Sequence, residues 1–330
     1  MRVIRFSSLG NYRMNKKLIL LMGTALFFIL LTGISITSNT ASQQPGRETN
    51  QIPEFSGINA YAYLVKQCDF GPRNPGSAGH RLCLDYLIKT FKQFTDKVST
   101  QPFILSYGSP PKQAKCTNII ARFQPEKSSR ILLCAHWDTR PWADKDPDPK
   151  NRDKPILGAN DGASGVAVLL EIAKIIHNNK PKMGIDIVLF DGEDAGVGGS
   201  SKDWIQGSSF FAKNLGPKDR PLFGILIDMI GDADLDVYKE ANSWRYARPV
   251  VEKIWKKAAE LNISNFKPEV KYSVLDDHIP LLEAGIPCVD LIDFDYKYWH
   301  TIEDTQDKCS SKSLENIGRL LVNIIYTDEV

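Results

Sequence analysis

Five segments of this 330-residue chain carry the side chains that could do chemistry. They are His136-Trp-Asp138, Gly158-Ala-Asn-Asp-Gly162, Asp191-Gly-Glu-Asp194, Asp228 and Trp299-His300-Thr301. Each alone has an ordinary explanation: a loop, a helix cap, a solvated acidic turn, a packed aromatic corner. Asp228 is the hardest to dismiss, because a carboxylate inside an apolar run needs a partner. Together, imidazole and carboxylate groups from separate segments describe a site for a hard or borderline divalent cation, with an open position for water or substrate. The adjacent acids Glu193 and Asp194 can divide the work: one binds metal, and the other stays off it and moves protons. Asp276-Asp277-His278 adds a further cluster whose adjacent carboxyls would titrate together. His80 and His177 lie in helical segments without such company and read as structural.

The elements that must position these residues follow from the apolar pattern. Arg130–Ala135, Gly184–Phe190, Phe223–Met229 and Ile286–Ile292 are short apolar runs and predict buried strands. Helical periodicity is expected over Ile58–Cys68, His80–Phe94, Gly162–Asn178, Ser208–Asn214, Ala247–Leu261, His278–Ala284 and Lys312–Tyr326. Within Gly162–Asn178, Glu171 and Lys174 mark the expected polar side. Alternating strands and helices predict a single α/β domain with a central, mostly parallel or mixed twisted sheet and helices on both faces. In that arrangement the chemistry-bearing segments all follow strands or open helices, so they gather at the carboxyl edge of the sheet, where sites form in open α/β folds.

Composition is that of a globular protein, 42% hydrophobic and 24% charged, with a formal net charge of +2. Five cations, Arg2, Arg5, Arg13, Lys16 and Lys17, precede any acid, and subtracting them from +2 leaves about −3 for the rest. No basic patch interleaved with aromatics stands out, so nucleic acid is not an expected partner. Residues 18–37 are almost wholly apolar and follow those cations. Residues 1–37 therefore read as an export signal or an N-terminal membrane anchor. The positive-inside rule places the body outside the cytoplasm, in the periplasm, free or anchored to the inner membrane, with membrane contact only through this segment. Cleavage near Ala41 has a weak site, and no cysteine follows the apolar run to support a lipoprotein anchor. Residues 38–54 read as a linker and residues 55–330 as the catalytic domain. Six scattered cysteines contain no Cys-x-x-Cys pair; export would permit disulfides, while Cys134 and Cys288 sit in apolar runs and read as buried thiols.

At the chemistry-bearing residues the order of motifs, ending in His300-Thr-x-x-Asp304, resembles that of the co-catalytic zinc aminopeptidases. Within that superfamily the chain most resembles the glutaminyl cyclases (glutaminyl-peptide cyclotransferases) of the animal-type fold and their bacterial relatives, over roughly residues 55–326. Phe70-Gly-Pro-Arg-Asn-Pro-Gly-Ser77 resembles their early loop, Asp276-Asp277-His278-Ile-Pro280 their Asp-Asp-His-Ile-Pro segment, and Trp299-His300-Thr301 their Trp-His-Thr. The resemblance implies one Zn2+ held by Asp161, Asp194 and His300, with Glu193 as general acid/base. It implies an acid network of Asp228 and Asp276, and a substrate pocket lined by Trp299, with Trp204 and Ile302 as further substrate contacts. The implied reaction converts N-terminal Gln, and secondarily Glu, of peptides or proteins to pyroglutamate, releasing ammonia from Gln. Two features depart from the animal pattern. Asp194 stands where those enzymes have Glu, one methylene longer. The Trp of their loop after the two acids falls on Gly199 in an ungapped alignment, which leaves Trp204 or Trp142 to compensate. Residues 142–153 are expected to form a surface loop near the pocket mouth.

The alternative is an exported zinc aminopeptidase with one or two metals, since His136 and Asp228 could hold a second ion. A metal-free binding protein on the same scaffold fits less well, because the ligand set and Glu193 are intact.

Overall fold

The apolar runs assemble edge to edge. The computed structural model describes residues 52–197 and 203–327. The apolar segment 18–37 and nearly all of the linker lie outside the described residues, as does Gly199. Among the described residues no helix is long and apolar enough to cross a membrane.

Two helices open the chain, α1 (Gly57–Cys68) and α2 (Ala78–Phe91). Both start where a serine hydroxyl accepts from an early helical N–H, Ser56 from Asn59 and Ser77 from His80. Strands β1 (Val98–Tyr107) and β2 (Lys112–Phe123) then form an antiparallel hairpin that the apolar-run reading did not anticipate. β1 is mostly solvated, with only Leu105 buried, and β2 mixes polar residues into a half-buried strand, so neither is a continuous apolar run. β3 (Arg130–His136), α3 (Ala163–Asn178), β4 (Gly184–Phe190), α4 (Gln206–Lys213) and β5 (Phe223–Asp228) follow. A short parallel pair, β6 (Val237–Lys239) with β7 (Phe266–Val270), brackets α5 (Ala241–Tyr246) and α6 (Arg248–Glu260). α7 (His278–Glu283), β8 (Cys288–Ile292) and α8 (Ser311–Thr327) close the chain.

The main sheet has six strands in the order β1-β2-β4-β3-β5-β8. β4, β3, β5 and β8 are parallel, and β1 and β2 run antiparallel at the margin. Every residue of the four parallel strands is buried, as continuous apolar runs covered on both faces require. Alternation along β3 splits the core: Ile131, Leu133 and Ala135 face the layer containing α1, α3 and α8, while Leu132 and Cys134 face α4 and α7. α3 is buried nearly all round, and Glu171 is among its buried residues, accepting from Asn59 Nδ2 at 3.0 Å. The expected polar side of α3 is thus occupied by α1. All six cysteines are buried and free.

Candidate active site and metal centre

The carboxyl edge of the parallel strands carries the site. His136 ends β3, Asp191 follows β4 directly, Asp228 ends β5, and the loop after β8 leads to His300. Asp161 precedes the N-terminus of α3, and Asp276 precedes α7.

Asp161, Asp194 and His300 are all buried, with one donor atom from each lying within 4.8 Å of the others. His300 Nε2 is 3.1 Å from Asp194 Oδ1 and 3.7 Å from Asp161 Oδ2. Asp161 is shared with a second cluster, in which His136 Nε2 lies 3.1 Å from both Asp161 Oδ1 and Asp228 Oδ1. Two further groupings exist among the described residues, His80/Cys116/Asp191 and Asp276/His278/Asp290. In the first of these, His80 stacks on Trp137 and its Nε2 meets Asp191 at 2.9 Å.

The first cluster suits zinc. Asp194 Oδ2 is buried and has no hydrogen-bond partner, a costly state for a carboxylate oxygen unless a cation or donor meets it. Two carboxylates and one imidazole form a donor set that zinc accepts with a position left open.

Braces hold the turns that carry Asp161 and Asp194. Asp304 accepts from the N–H groups of Asn160 (2.8 Å) and Asp161 (3.1 Å) and from the Tyr296 hydroxyl (2.8 Å). Asp138 accepts from the N–H groups of Glu193 (3.1 Å) and Asp194 (3.3 Å), which fixes the acid turn. Gly162 is required by close approach, since a Cβ there would lie 2.6 Å from the His136 ring. His300 itself has φ +56, a conformation that a non-glycine residue keeps only where its surroundings over-determine it.

A cavity of about 290 Å³ opens over this cluster. Asp161, Glu193, Asp194, Trp204, Asp228, Asp276, Trp299 and His300 line it, joined by Met229 and Phe294. It is at the small end of ligand-site volumes, suited to one amino-acid side chain. Trp299 packs on Phe294 and His300, at 5.0 and 3.9 Å between ring centroids. Trp204 stacks nearly parallel to His300, at 6.1 Å and 9°. Gly196 leaves room for that indole, because a Cβ there would collide with it. Trp204 is therefore the tryptophan at the cavity, whereas Trp142 lies beside Arg140 and is not part of the wall. Ile302 is not part of the wall either; its N–H donates to Asp146 at 3.1 Å.

Burial pushes the Glu193 carboxyl well above the usual carboxylate range; His136 pulls it back, and Asp194, Asp276 and Asp277 push it further up. Burial and the neighbouring Asp228 push Asp276 up to about 7. Burial lowers His136, but the nearby carboxylates of Asp228, Asp138 and Asp161 outweigh it and raise it well above its ordinary value. A high carboxyl beside a cluster of donors that could hold a metal is a candidate proton carrier.

Several contributors had no distinct signal in the sequence. Asp304 and Asp138 were visible only as parts of motifs, without a role. The segment after Arg140 is more than a surface loop: Ala143 and Asp146 are buried, and the Lys145 N–H donates to the His300 carbonyl at 3.1 Å.

The chain belongs to Peptidase family M28, whose sequence profile matches residues 118–325. Its solved relatives narrow that class. The chain is 41% identical to Tannerella forsythia glutaminyl cyclase, with TM-score 0.81, covering 84% of this chain and 100% of that one. It is 38% identical, at the same TM-score and coverages, to a Zn-dependent exopeptidase from Parabacteroides distasonis. It is also similar to the glutaminyl-peptide cyclotransferase of the snake Boiga dendrophila, 26% identical over 241 residues, 62% of this chain and 63% of that protein. The match thus spans less than two thirds of that relative's length.

Proposed function

We propose that this chain is a zinc-dependent glutaminyl-peptide cyclotransferase, an acyltransferase acting on peptides or proteins with N-terminal Gln, and on N-terminal Glu as a secondary substrate. The observation that carries the reading is a proton carrier, Glu193, beside a zinc-suited triad in a small aromatic-walled cavity. Asp161, Asp194 and His300 would hold one zinc. Zinc there supplies Lewis-acid polarisation of the γ-amide carbonyl and charge for its developing oxyanion.

Trp299, Trp204 and Phe294 enclose the Gln side chain and exclude water, so the α-amine rather than solvent reaches the γ-amide carbonyl carbon. As the new N–C bond forms, a Glu193 oxygen accepts a proton from the α-amine. Glu193 then returns that proton to the amide nitrogen as its C–N bond breaks, and ammonia leaves. Burial suits Glu193 to both halves, because a carboxylate raised above its ordinary range is a better base toward the α-amine than a solvated one. Asp228 and Asp276 form the acid network beside it.

A second reading rests on His136, whose Nε2 lies 3.1 Å from both Asp161 and Asp228. A second zinc there would favour exopeptidase chemistry. Mass spectrometry of Gln-initiated and Leu-initiated peptides separates the two. Loss of one ammonia from the first supports cyclisation, whereas release of free Leu without ammonia loss sinks it. Zinc analysis adds a second axis, one ion per chain for the cyclase. Glu193→Gln is expected to keep zinc and lose about 10²–10⁴-fold in kcat; retained turnover removes Glu193 from its role.

The reading includes export to the periplasm, supported by the cations and apolar run of residues 2–37. Cell fractionation of the full chain, with N-terminal sequencing, tests export and distinguishes a cleaved signal from an inner-membrane anchor.

A further inference from the structure

We propose that Arg140 and Asp144 form a positioning clamp that sets the two ligands Asp194 and His300 for the metal. The proposal rests on the ligand set named above and concerns metal affinity, so it is separable from the cyclisation chemistry.

Arg140 is buried, only 1% exposed, an expensive place for a guanidinium unless each part of it is used. Its Nη1 donates to Asp194 Oδ1 at 3.2 Å and to the Asp194 carbonyl at 3.0 Å. Its Nε donates to Asp144 Oδ1 at 2.5 Å. The same Asp144 oxygen lies 3.4 Å from His300 Nδ1, and His300 Nε2 lies 3.1 Å from Asp194 Oδ1. The four side chains therefore close a ring, Arg140–Asp194–His300–Asp144. The guanidinium carbon also sits 4.6 Å over Trp204 and 5.2 Å over Trp142, contacts that suit a planar cation.

The ring has a chemical consequence at each ligand. Arg140 engages Asp194 Oδ1, and Oδ2 is the oxygen left without a hydrogen-bond partner. Asp144 faces His300 Nδ1, so Nε2 is the nitrogen turned toward Asp161 and Asp194. The segment also grips His300 by its backbone, through Lys145 N–H to the His300 carbonyl at 3.1 Å. This accounts for how His300 is held at φ +56. Asp194 has a short arm, and one guanidinium nitrogen fixed to both its carboxylate and its carbonyl, while Nε holds Asp144, removes the freedom that would blur its aim. Arg140 also brings positive charge close to a cation site, which opposes binding. Asp144 neutralises that charge, so orientation is the net contribution of the pair.

The test is zinc affinity by chelator competition on Arg140→Met, Arg140→Lys and Asp144→Asn, with the melting temperature of each zinc-free form. Outer partners of ligands are worth about 10–100-fold in metal affinity. Asp144→Asn is expected at the weaker-binding end, because it removes the carboxylate that faces Nδ1 and leaves the Arg140 charge uncompensated beside the cation site. Arg140→Met should lose about 10-fold, and Arg140→Lys nearly as much, since an ammonium cannot reproduce the fork. Zinc-free melting of Asp144→Asn should fall by less than that of Arg140→Met, because Asp194 still pairs with Arg140. Zinc dissociation constants within about 3-fold of the parent in all three variants overturn the proposal. So does weakened binding that merely tracks a fall in zinc-free melting temperature. Should Arg140→Met fail to fold, Asp144→Asn at the half-exposed end of the ring decides alone. Asp194→Ala and His300→Ala are the controls: if they keep zinc, the ligand set itself is wrong; if they lose it while the clamp variants do not, only the clamp is.

Discussion

Replacing Arg73 by methionine should destabilise the fold by about 3 kcal/mol, because three carbonyls depend on one side chain. Arg73 is fully buried and comes from the turn-rich loop before α2. Its Nε donates to the Trp137 carbonyl at 3.2 Å, Nη1 to that of Leu157 at 2.9 Å, and Nη2 to that of Gly158 at 2.7 Å. It thus ties the end of β3 to the turn that carries Asp161. Methionine keeps the stem and removes every donor. The acceptors on Trp137 and Gly158 are in buried surroundings, and stranding each costs about 1–3 kcal/mol; Leu157 is partly open, and water can recover some of its loss. Removing a buried cation returns part of the total, which brings about 2–6 kcal/mol down to about 3. Lysine should lose nearly as much, since a point charge cannot span three carbonyls. The assay is equilibrium denaturation of the zinc-free protein, chelator present, so that metal linkage does not mask the change. A loss below about 1 kcal/mol in Arg73→Met would refute the assignment of Arg73 as the brace.

Glu240 gives a pH signature outside the Asp161/Asp194/His300 triad. It accepts from the Asn242, Ser243 and Val274 N–H groups and meets His278 Nε2 at 3.1 Å. Burial raises its carboxyl, but His278 and the backbone donors outweigh this and hold it at about 2, against an ordinary 4.5. A depressed folded value stabilises above the unfolded one and is lost on acidification, so the contribution falls from about 3 kcal/mol near neutrality to about 1 near pH 3. Denaturation of Glu240→Gln and the parent across that range should show the gap narrowing; a constant gap contradicts it. The cysteines supply a third measurement. Thiol titration under native conditions should find almost none of the six reactive, and all six after denaturation without reductant; fewer on denaturation would reveal a disulfide.

The sequence by itself determined the four parallel strands, most of the covering helices and the identity of the chemical groups. Short apolar runs bounded by turn residues read as strands buried on both faces, and the polar residues after them then share one edge. It could not determine the hairpin of residues 98–123, because these margin strands are partly solvated and form no continuous apolar run. Nor could it rank Trp204 against Trp142: Trp204 lines the cavity, and Gly196 leaves space for it. The braces Arg73, Asp138 and Asp304 were visible as letters in motifs, but what they brace lies far off in sequence, up to 144 residues for Asp304 and Asn160. Asp194 shows the division most clearly. Its type and its neighbour Glu193 were enough to predict a metal ligand beside a proton carrier. Which oxygen Arg140 holds, and which is left bare, depends on a segment 54 residues earlier, and only the folded chain brings the two together.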